Sequence, residues 1–422
     1  MKASPTRGFR HLTTVDRARR RLLKSVQGSC VKETVRVQLQ DAVGRVLAKR
    51  IIASSFLPAF DVSVVDGYAV RSRDVRRASP KNRVVLRIVG ESRLGELCRL
   101  RIHSEESVVV ATGSSLPKGC DAVVMVENAD RLDAARVAFH TPIGVWLGIT
   151  RKGDDMKPGS LVLERRGRLR PEDVGALRAL GMKRVQVLRR VRVGILSTGN
   201  ELVNVPNRGN CGKIVDLNRP ILSAMVRELG ANPVDLGIAK DDAHIIGARL
   251  KAGLRKADVV LVTAGSSVGK RDLVPDCINR LGNPGMLVHG VAMRPALPTG
   301  LAVVKGKPVI SLPGFPVSAM IAFRTFVRPL LAKLGGAPEP VEPTIRAVLR
   351  EGITGFLGHR TFVRVRVWRG KGGYEAVPLR AQRSSQLSSM VGANGIVTVS
   401  EEARPIEAGS TVAVTLIGDI RN

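Results

Sequence analysis

The feature that most constrains the fold is a regular alternation of strand-like and helix-like segments that begins at Val191. The apolar run Val191 to Leu196 is followed by a helical pattern at 220–229, and the alternation continues to about residue 330. Strands that alternate with helices are typical of a parallel sheet covered by helices. Ligands of such sheets bind beyond the carboxyl ends of the strands. The sequence therefore predicts an α/β domain whose binding residues follow its strands.

The rest of the chain has the pattern of β-rich domains. Short β-branched runs separated by Gly, Pro and Ser fill about 57–145 and return after about 340. An amphipathic helix is expected at 15–26 and a further helix at 171–181. A chain of 422 residues is also too long for one core. The predicted fold is a central three-layer α/β domain with a parallel-type sheet, flanked by β-rich domains and a C-terminal β-barrel-like domain. The predicted boundaries are an elongated N-terminal linker domain (1–56 plus 146–190), an inserted β-rich domain (57–145), the α/β domain (191–335) and a C-terminal β domain (336–422).

The net charge of +32 raises the question of nucleic-acid binding. The basic residues are scattered in short runs, however, and aromatic residues, which stack on single-stranded bases, make up only 3% of the chain. A basic surface, or an anionic small substrate attracted by the field, explains the charge as well. We therefore do not expect nucleic acid as a partner.

The cysteines and the N-terminus bear on the cellular compartment. The five cysteines are far apart and have no C-x-x-C or zinc-site spacing, which is typical of free thiols in a reducing compartment. Residues 1–11 lack the apolar region of a signal peptide, and no run of about 18 apolar residues occurs. The sequence thus predicts a cytoplasmic protein that does not span a membrane.

Two strand ends have the small residues of a phosphate site. The first reads Leu196-Ser197-Thr198-Gly199-Asn200-Glu201, in which Glu201 either holds a metal or a ribose hydroxyl or is simply solvated in an ordinary turn. The second, from Val262 to Asp272, is rich in Gly and Ser before a helix, but matches neither a P-loop nor a G-x-G-x-x-G fingerprint. Asp272 either caps that helix or binds Mg²⁺ together with Glu201. The metal is favoured because a bare carboxylate and a phosphate repel each other.

Three further segments combine turn residues with polar side chains. Met293 to Gly300 contains Arg294 between apolar residues, and Ser311 to Ala319 joins a strand to a helix through Pro-Gly-x-Pro. Ser318 would then lie in the first helical turn, where it either contacts an oxyanion or caps the helix. The loop from Pro58 to Val70 contains two aspartates and a serine shortly before a glycine. This composition indicates that the loop has a defined conformation with a specific role.

Together these segments resemble the molybdopterin molybdenumtransferase (MoeA) family, which inserts molybdate into adenylated molybdopterin. The likeness covers nearly the whole chain, in the same order and spacing. The family motifs D-N-S-A-M-D-G-Y-A, T-G-x-x-L-P-x-G-A-D-A-V-V-x-V-E, S-T-G-x-E-L, S-G-G-x-S-V-G-x-x-D and L-P-G-N-P-V-S-A are similar to Asp61–Ala69, Thr112–Glu127, Ser197–Leu202, Thr263–Asp272 and Leu312–Ala319.

The resemblance implies a Mg²⁺-dependent transferase that adds molybdate or tungstate to adenylated molybdopterin and releases AMP. It also implies a homodimer, with a cleft between the α/β domain of one subunit and the β domain of the other, and a molybdopterin adenylyltransferase as a further partner. The implied catalytic residues are Asp66, Glu201, Asp241 and Asp272, of which Glu201 and Asp272 would bind the metal. The implied substrate-binding residues are Thr112, Asp155, Ser197, Thr198, Gly199, Gly265, Ser266, Ser267 and Gly269, and the implied molybdate-binding residues are Arg294, Pro295, Pro298 and Ser318.

The chain departs from the family where the oxyanion would bind. The family's R/K-P-G-K-P reads Arg294-Pro295-Ala296-Leu297-Pro298 here, a lysine of some members is Gly290, and the asparagine of P-G-N-P is Phe315. Lysines near an oxyanion are cationic donors. An alternative is therefore a catalytically weakened paralogue that binds pterin or acts as a scaffold. Nucleic-acid binding rests on charge alone, and the surrounding β domains argue against an adenylyltransferase.

Overall fold

A mixed sheet lies at the centre of the molecule. The structure is a computed structural model that describes residues 12–205, 212–264 and 273–420. The described strands of this sheet are, in spatial order, Asn232–Ala239, Arg192–Thr198, Val259–Ala264, Lys307–Pro313, Gly300–Val304 and Pro284–His289. The first four run parallel, and the last two are antiparallel to their neighbours. The parallel sheet is thus confirmed where strands alternate with helices, and residues 284–304 add an antiparallel edge.

Helices cover both faces of this sheet, which confirms the three-layer prediction. Successive strand side chains point to opposite faces, so Ile195 packs on one side and Leu196 on the other. The face of Ile195 contacts the described helices Val15–Ser25, Asn218–Glu228, Pro316–Ala322 and Arg328–Gly335, with the π-helical turn Phe323–Val327. The face of Leu196 contacts Ala243–Lys256 and Val274–Leu281.

The first helix confirms its sequence pattern but lies on the α/β unit. Val15, Ala18 and Leu22 are buried on one side, and they join the core of the central sheet. The predicted boundaries grouped this helix with the N-terminal linker domain. Its amphipathic pattern required an apolar surface to cover, and the chain supplies that surface from residues more than 150 positions away.

The units before the central sheet are antiparallel for the most part. Segments on the N-terminal and C-terminal sides of the inserted sheet form three antiparallel strand pairs. The pairs are Thr34–Gln38 with Arg184–Leu188, Ile51–Ile52 with Leu161–Leu163, and Val62–Ser63 with Ile149–Thr150. The helix Pro171–Ala179 and the 3-10 turns Leu39–Asp41 and Val126–Asn128 accompany them. The inserted sheet has the order Ala122–Met125, Gly67–Val70, Glu106–Val110, Val84–Ser92, Arg136–Phe139 and Ala129–Arg131.

The C-terminal region closes into a barrel, as predicted. Its described barrel strands are Arg360–Gly370, Gly373–Pro378, Thr344–Leu349, Thr411–Leu416 and Gly395–Val399, and the first and last of these also pair with each other. A short helix, Ser388–Gly392, lies beside it. The short strand Met293–Arg294 leaves the α/β unit and pairs with Arg360 and Thr361 of the barrel. This pairing holds the barrel against the α/β unit.

A short strand pair lies outside the large sheets, and the cysteines form no disulfide among the described residues. Leu202–Val203 and Ile214–Val215 form a parallel pair beside the central sheet. Cys30, Cys98 and Cys120 are free, as predicted, Cys277 is buried, and Cys211 lies outside the described residues. Among the helices that the structure describes, none combines the length and the apolar character needed to cross a bilayer.

Candidate functional site

The carboxyl ends of three neighbouring parallel strands lie side by side. The register pairs Ser197 with Thr263 and Thr263 with Leu312, so the segments singled out in the sequence end at one edge of the sheet. The sheet therefore brings the Ser197–Glu201 turn and the Leu312–Ala319 segment to the same edge. This is the edge at which ligands of such sheets bind.

The hydroxyl groups at this edge form a floor, since they bond to each other. Thr263 Oγ1 donates to Ser197 Oγ at 3.0 Å, and Thr198 Oγ1 donates to the Thr263 carbonyl at 3.2 Å. All three residues are buried. Ser197 and Thr198, which the resemblance assigns to substrate binding, thus brace adjacent strands. Their location makes the backbone of the following turn the surface nearest to a ligand.

Two acidic residues stand above this floor. A Cβ atom at Gly199 would lie 2.6 Å from Glu201 Oε1, so only glycine leaves room for the carboxylate in this turn. Asp241 follows the neighbouring strand, and its Oδ2 accepts from the Asn200 backbone N–H at 3.2 Å. Asn200 Oδ1 accepts from the Asp241 backbone N–H in return. The reciprocal bonds tie Asp241 to the turn that carries Glu201.

The donor set at this turn fits Mg²⁺ when a phosphate shares the ion. Within residues 12–205, 212–264 and 273–420, no group of three or more His, Cys, Asp or Glu is arranged to hold a metal. Mg²⁺ commonly binds through one or two carboxylates together with waters and substrate phosphates, which Glu201 and Asp241 satisfy. Asp272, Gly265, Ser266, Ser267 and Gly269 lie outside the described residues, so the second ligand and the phosphate cradle stay predictions.

The four candidate oxyanion residues share one cavity. Arg294, Pro295, Pro298 and Ser318 line a cavity of about 740 Å³ between the edge of the central sheet and the barrel. Ser318 is buried in the first turn of the helix Pro316–Ala322, and Pro316 occupies its first position as predicted. The structure thus gathers these residues next to the end of Lys307–Pro313.

No described acidic residue pairs with the Arg294 side chain. Its guanidinium carbon lies 4.7 Å from the centre of the Phe356 ring, and its Nε is buried with no hydrogen-bond partner among the described residues. A ring face stabilises a cation but does not neutralise it. The charge of Arg294 is therefore left for an anion in the cavity.

Most positions that depart from the family also line this cavity, and Gly290 is not among its described lining residues. Leu297 and Phe315 are both in its wall, and Phe315 is 44% exposed. Ala296 has φ of 89° and is buried, which is a conformation suited to glycine. Compared with the family motif, this loop therefore has a strained backbone at Ala296 and lacks the lysine that Leu297 replaces.

Asp66, Thr112 and Asp155 lie on other units. The backbone N–H and Oγ1 of Thr112 donate to Asp66 Oδ1 at 2.7 and 3.0 Å, and these bonds lower the pKa of Asp66 below its usual value. Asp155 is exposed in a turn whose backbone bonds to Leu57. The structure brings Asp66 and Thr112 together, but the hydrogen bonds described for them do not link them to Glu201 or Asp241.

Several residues of the cavity were missed from the sequence. Arg364, Gln382, Arg383, Ser384 and Ser385 line its barrel side. No signal in the sequence marked Arg364, because it alternates with Val363 and Val365 as an outward-facing polar residue of a predicted strand does. The polar segment 380–389 carries none of the motifs singled out in the sequence.

Three family models match consecutive parts of the chain. The MoeA N-terminal region (domain I and II) matches residues 13–181, a probable molybdopterin binding domain matches 194–333, and the MoeA C-terminal region (domain IV) matches 346–417. Between them they cover both the α/β unit and the units around it.

Individual proteins agree with these matches. A molybdopterin molybdenumtransferase 2 from Mycobacterium tuberculosis is 33% identical over 385 residues, which are 90% of this chain and 94% of the relative. A molybdopterin molybdenumtransferase from Haemophilus influenzae is 30% identical over 96% of this chain and 98% of its own length. The crystal structure of a molybdopterin biosynthesis MoeA protein from Pyrococcus horikoshii superposes with a TM-score of 0.84 at 31% identity, and covers 96% of this chain and 100% of that one.

Proposed function

The chain belongs to the molybdopterin molybdenumtransferase (MoeA) family, a transferase family of molybdenum cofactor biosynthesis, and we propose that it inserts molybdate or tungstate into adenylated molybdopterin with release of AMP. The proposal gives the acidic turn and the basic cavity separate tasks. The turn would hold the phosphoanhydride of the adenylate, and the cavity would hold the incoming oxyanion.

The observation that carries this proposal is the spacing of the two regions along one sheet edge. Asp241 follows Asn232–Ala239, and the cavity adjoins the end of Lys307–Pro313, three strands away in the spatial order. At about 4.8 Å between strands, the two regions are separated by about 14 Å. An adenylated pterin, which has the dimensions of a dinucleotide, is long enough to reach both regions.

Each residue would then act by position and charge. Glu201 and Asp241 would orient the phosphoanhydride above the Ser197–Thr198 floor, and a Mg²⁺ bound there supplies neutralisation of phosphate charge. Arg294 would donate to the oxyanion, since no described residue supplies a counter-ion for its charge, and the Ser318 hydroxyl would donate from the first turn of the helix Pro316–Ala322. Both groups are fixed by packing before the ligand arrives.

Asp66 and Thr112 fit this scheme only if a second copy takes part. Their pairing fixes an ionised carboxylate on the inserted unit, away from the bonds of the Glu201 turn. We therefore propose a cytoplasmic homodimer in which this pair, with Asp155, faces the site of the partner. An adenylyltransferase that makes the adenylated pterin would be the natural supplier of the substrate.

The direct test is release of AMP from adenylated molybdopterin by the purified protein with Mg²⁺ and molybdate or tungstate. We expect oxyanion-dependent release, and a loss of about 100-fold or more in Glu201→Gln, since correctly placed charge contributes on this scale in active sites. Glu228→Gln, at the far end of the helix that follows this turn, is the matched control and should behave as wild type. Absence of release by the wild-type protein would contradict the proposal.

The second candidate is a pterin-binding paralogue without turnover, which Leu297 and Phe315 in the cavity wall favour. The double variant Leu297→Lys and Phe315→Asn distinguishes the two. A gain of AMP release from an inactive starting protein would establish the paralogue. Activity that is already present, and unaffected by the pair, would contradict it.

A further inference from the structure

A buried amide at the edge of the central sheet has an acceptor without a donor. Asn218 is 7% exposed, and its Oδ1 is the one buried side-chain oxygen that lacks a hydrogen-bond partner in the part of the chain that the structure describes. The amide is oriented by its other end, because Nδ2 donates to the Gly314 carbonyl at 2.7 Å and an oxygen in its place would face another oxygen. A buried acceptor without a donor is costly, so its presence calls for a reason.

An asparagine of the barrel shows what is missing at Asn218. Asn394 Oδ1 accepts from the Val367 backbone N–H at 2.7 Å, and its Nδ2 donates to the carbonyls of Val367 and Asp419 at 2.8 and 3.1 Å. Both ends of that amide are therefore used to hold the fold. Asn218 uses its donor end in the same way but leaves its acceptor end open.

The chain that leads to Asn218 is bonded to the acidic turn. The backbone N–H of Ile214 donates to the Glu201 carbonyl at 2.8 Å, and that of Asp216 donates to the Val203 carbonyl at 2.9 Å. Asn218 follows two residues later as the first residue of its helix. Its position is thus fixed relative to the turn that carries Glu201.

The other side of Asn218 adjoins the cavity. Gly314, which accepts from its Nδ2, stands between Pro313 and Phe315, and both of these residues line the cavity. The two amide atoms of Asn218 share one carbon, so Oδ1 lies beside the same turn. Asn218 therefore lies between the acidic turn and the cavity, where a substrate that reaches both regions would pass.

The arginine next to Asn218 is engaged elsewhere. Arg219 Nε donates to Asp216 Oδ2 at 2.6 Å, and its Nη1 donates to Asp235 Oδ1 at 2.8 Å. Its Nη2 donates to Asn204 Oδ1. These three bonds hold the guanidinium on other acceptors, so it does not serve Asn218 Oδ1.

The start of the helix Asn218–Glu228 is also occupied. Asp216 Oδ1 accepts from the backbone N–H groups of Asn218 and Arg219 at 3.1 and 3.3 Å. This carboxylate takes the place that a phosphate would use at a helix N-terminus. Asn218 Oδ1 has lone pairs and no proton, so it cannot bind an oxyanion either. The partner that fits it is a hydrogen-bond donor.

We propose that Asn218 is a specificity-determining residue whose Oδ1 accepts a hydrogen bond from an amino group on a nitrogen heterocycle of the substrate. The identity of the heterocycle rests on the proposed function, because an adenylated pterin carries one amino group on its adenine and one on its pterin. The two groups share this chemistry. Since Oδ1 is shielded from water, an analogue without the amino group leaves it unpaired and binds more weakly.

The test measures the affinity of the full-length protein for matched pairs of probes that differ by one amino group. The pairs are AMP with purine riboside monophosphate, and pterin with its des-amino analogue hydroxypteridine, each followed by isothermal titration calorimetry. We expect the wild-type protein to bind the amino-bearing member of one pair about ten-fold more tightly, as for one buried hydrogen bond. This preference should disappear in Asn218→Ala. A merely structural defect would weaken both members of a pair equally and leave their ratio unchanged.

Three further variants complete the design. Asn218→Asp keeps an acceptor oxygen and should keep the preference, even where both affinities fall. Asn218→Ser takes the place of the alanine variant if that protein does not fold, since serine is well accepted near a helix start, and its shorter side chain should lose the preference too. Asn232→Ala, at an exposed position where its strand begins, is the matched control and should behave as wild type.

The pair that loses its preference identifies the heterocycle. A loss within the AMP pair would show that Asn218 recognises the adenine, and a loss within the pterin pair would show the pterin; both results support the proposal. A wild-type protein without preference in either pair, or a preference that persists in Asn218→Ala and Asn218→Ser, would overturn it. Binding of none of the probes to the wild-type protein would overturn it as well. AMP release from adenylated molybdopterin decides the proposed function separately, because that assay does not depend on the preference.

Discussion

The strand-end floor and the barrel wall face the same region but satisfy their polar groups in different ways. At the floor, Ser197 and Thr263 bond to each other, and Asp241 and Asn200 bond reciprocally. At the wall, Arg364 is buried and no carboxylate in the described part of the chain pairs with it, and Arg294 Nε has no hydrogen-bond partner there. The floor is complete without a ligand, whereas the wall has charge that only a ligand would neutralise.

This difference has a consequence for stability. Groups that are paired in the protein contribute to folding in the absence of any ligand. A buried, unpaired cation opposes folding until an anion binds, and an anion that binds only the folded protein then stabilises it. The two regions should therefore respond in opposite directions to mutation.

The largest effect is expected from breaking the floor. Thr263→Val removes the donor to Ser197 inside a fully buried strand pair, and should lower the free energy of unfolding by about 2 kcal/mol. Urea unfolding followed by circular dichroism measures the change. Thr398→Val makes the same substitution at an exposed strand position and should be near neutral. Equal changes in the free energy of unfolding for the two variants would show that the bond between Thr263 and Ser197 does not stabilise the fold.

The wall should respond with the opposite sign. Arg364→Met removes the uncompensated charge and keeps an apolar body, so the free energy of unfolding should rise by about 1 kcal/mol. Tungstate should raise the melting temperature of the wild-type protein more than that of this variant. Arg366→Met, two residues later and exposed, is the control and should leave both quantities unchanged. A marked loss of stability in Arg364→Met would contradict the interpretation that its charge serves a ligand.

A smaller effect is expected from the strained loop between the two regions. Ala296→Gly relieves the strain of a left-handed backbone but gives the unfolded chain more conformational entropy. We expect the free energy of unfolding to rise by about 0.5–1 kcal/mol on balance. Ala322→Gly, at a helical position with φ of −63°, should lose about 1 kcal/mol instead. Thermal unfolding of both variants gives the comparison, and a loss in Ala296→Gly would show that the loop is not strained.

The smallest effect concerns Asp66, which lies outside both regions. Two donors from Thr112 lower its pKa, so its contribution to stability is present above the pKa of the unfolded chain and is lost as pH falls through the folded pKa. Thr112→Val keeps the backbone donor and removes the hydroxyl, so the pKa should move back part of the way toward its usual value. Carboxyl-carbon NMR titration measures this shift. Thr112→Ser retains the hydroxyl and should restore the low pKa; identical titrations in all three proteins would contradict the assignment.

Much of the fold could be predicted because it depends on local patterns. The apolar run Val191 to Leu196 was recognisable as a buried strand, and Gly230 follows the helix Asn218–Glu228 with φ of 75° as a glycine after a helix should. The Pro-Gly-x-Pro segment likewise indicated a helix that begins at Pro316. Each of these features is set by residues within one or two turns of each other.

The site was predictable only in part, because some of its features depend on local patterns and others on contacts between distant segments. The ends of parallel strands meet at one edge, so the sequence alone indicated that the Ser197 turn and the Ser318 segment would be neighbours. The pairing of Arg294 with the barrel, the burial of Arg364 and the packing of the first helix on the central sheet join segments that are distant along the chain. The strands, the helices and their local geometry were thus determined by the sequence pattern. The charge of the cavity was decided by tertiary packing, because burial and ion pairing depend on neighbours that only the folded chain brings together.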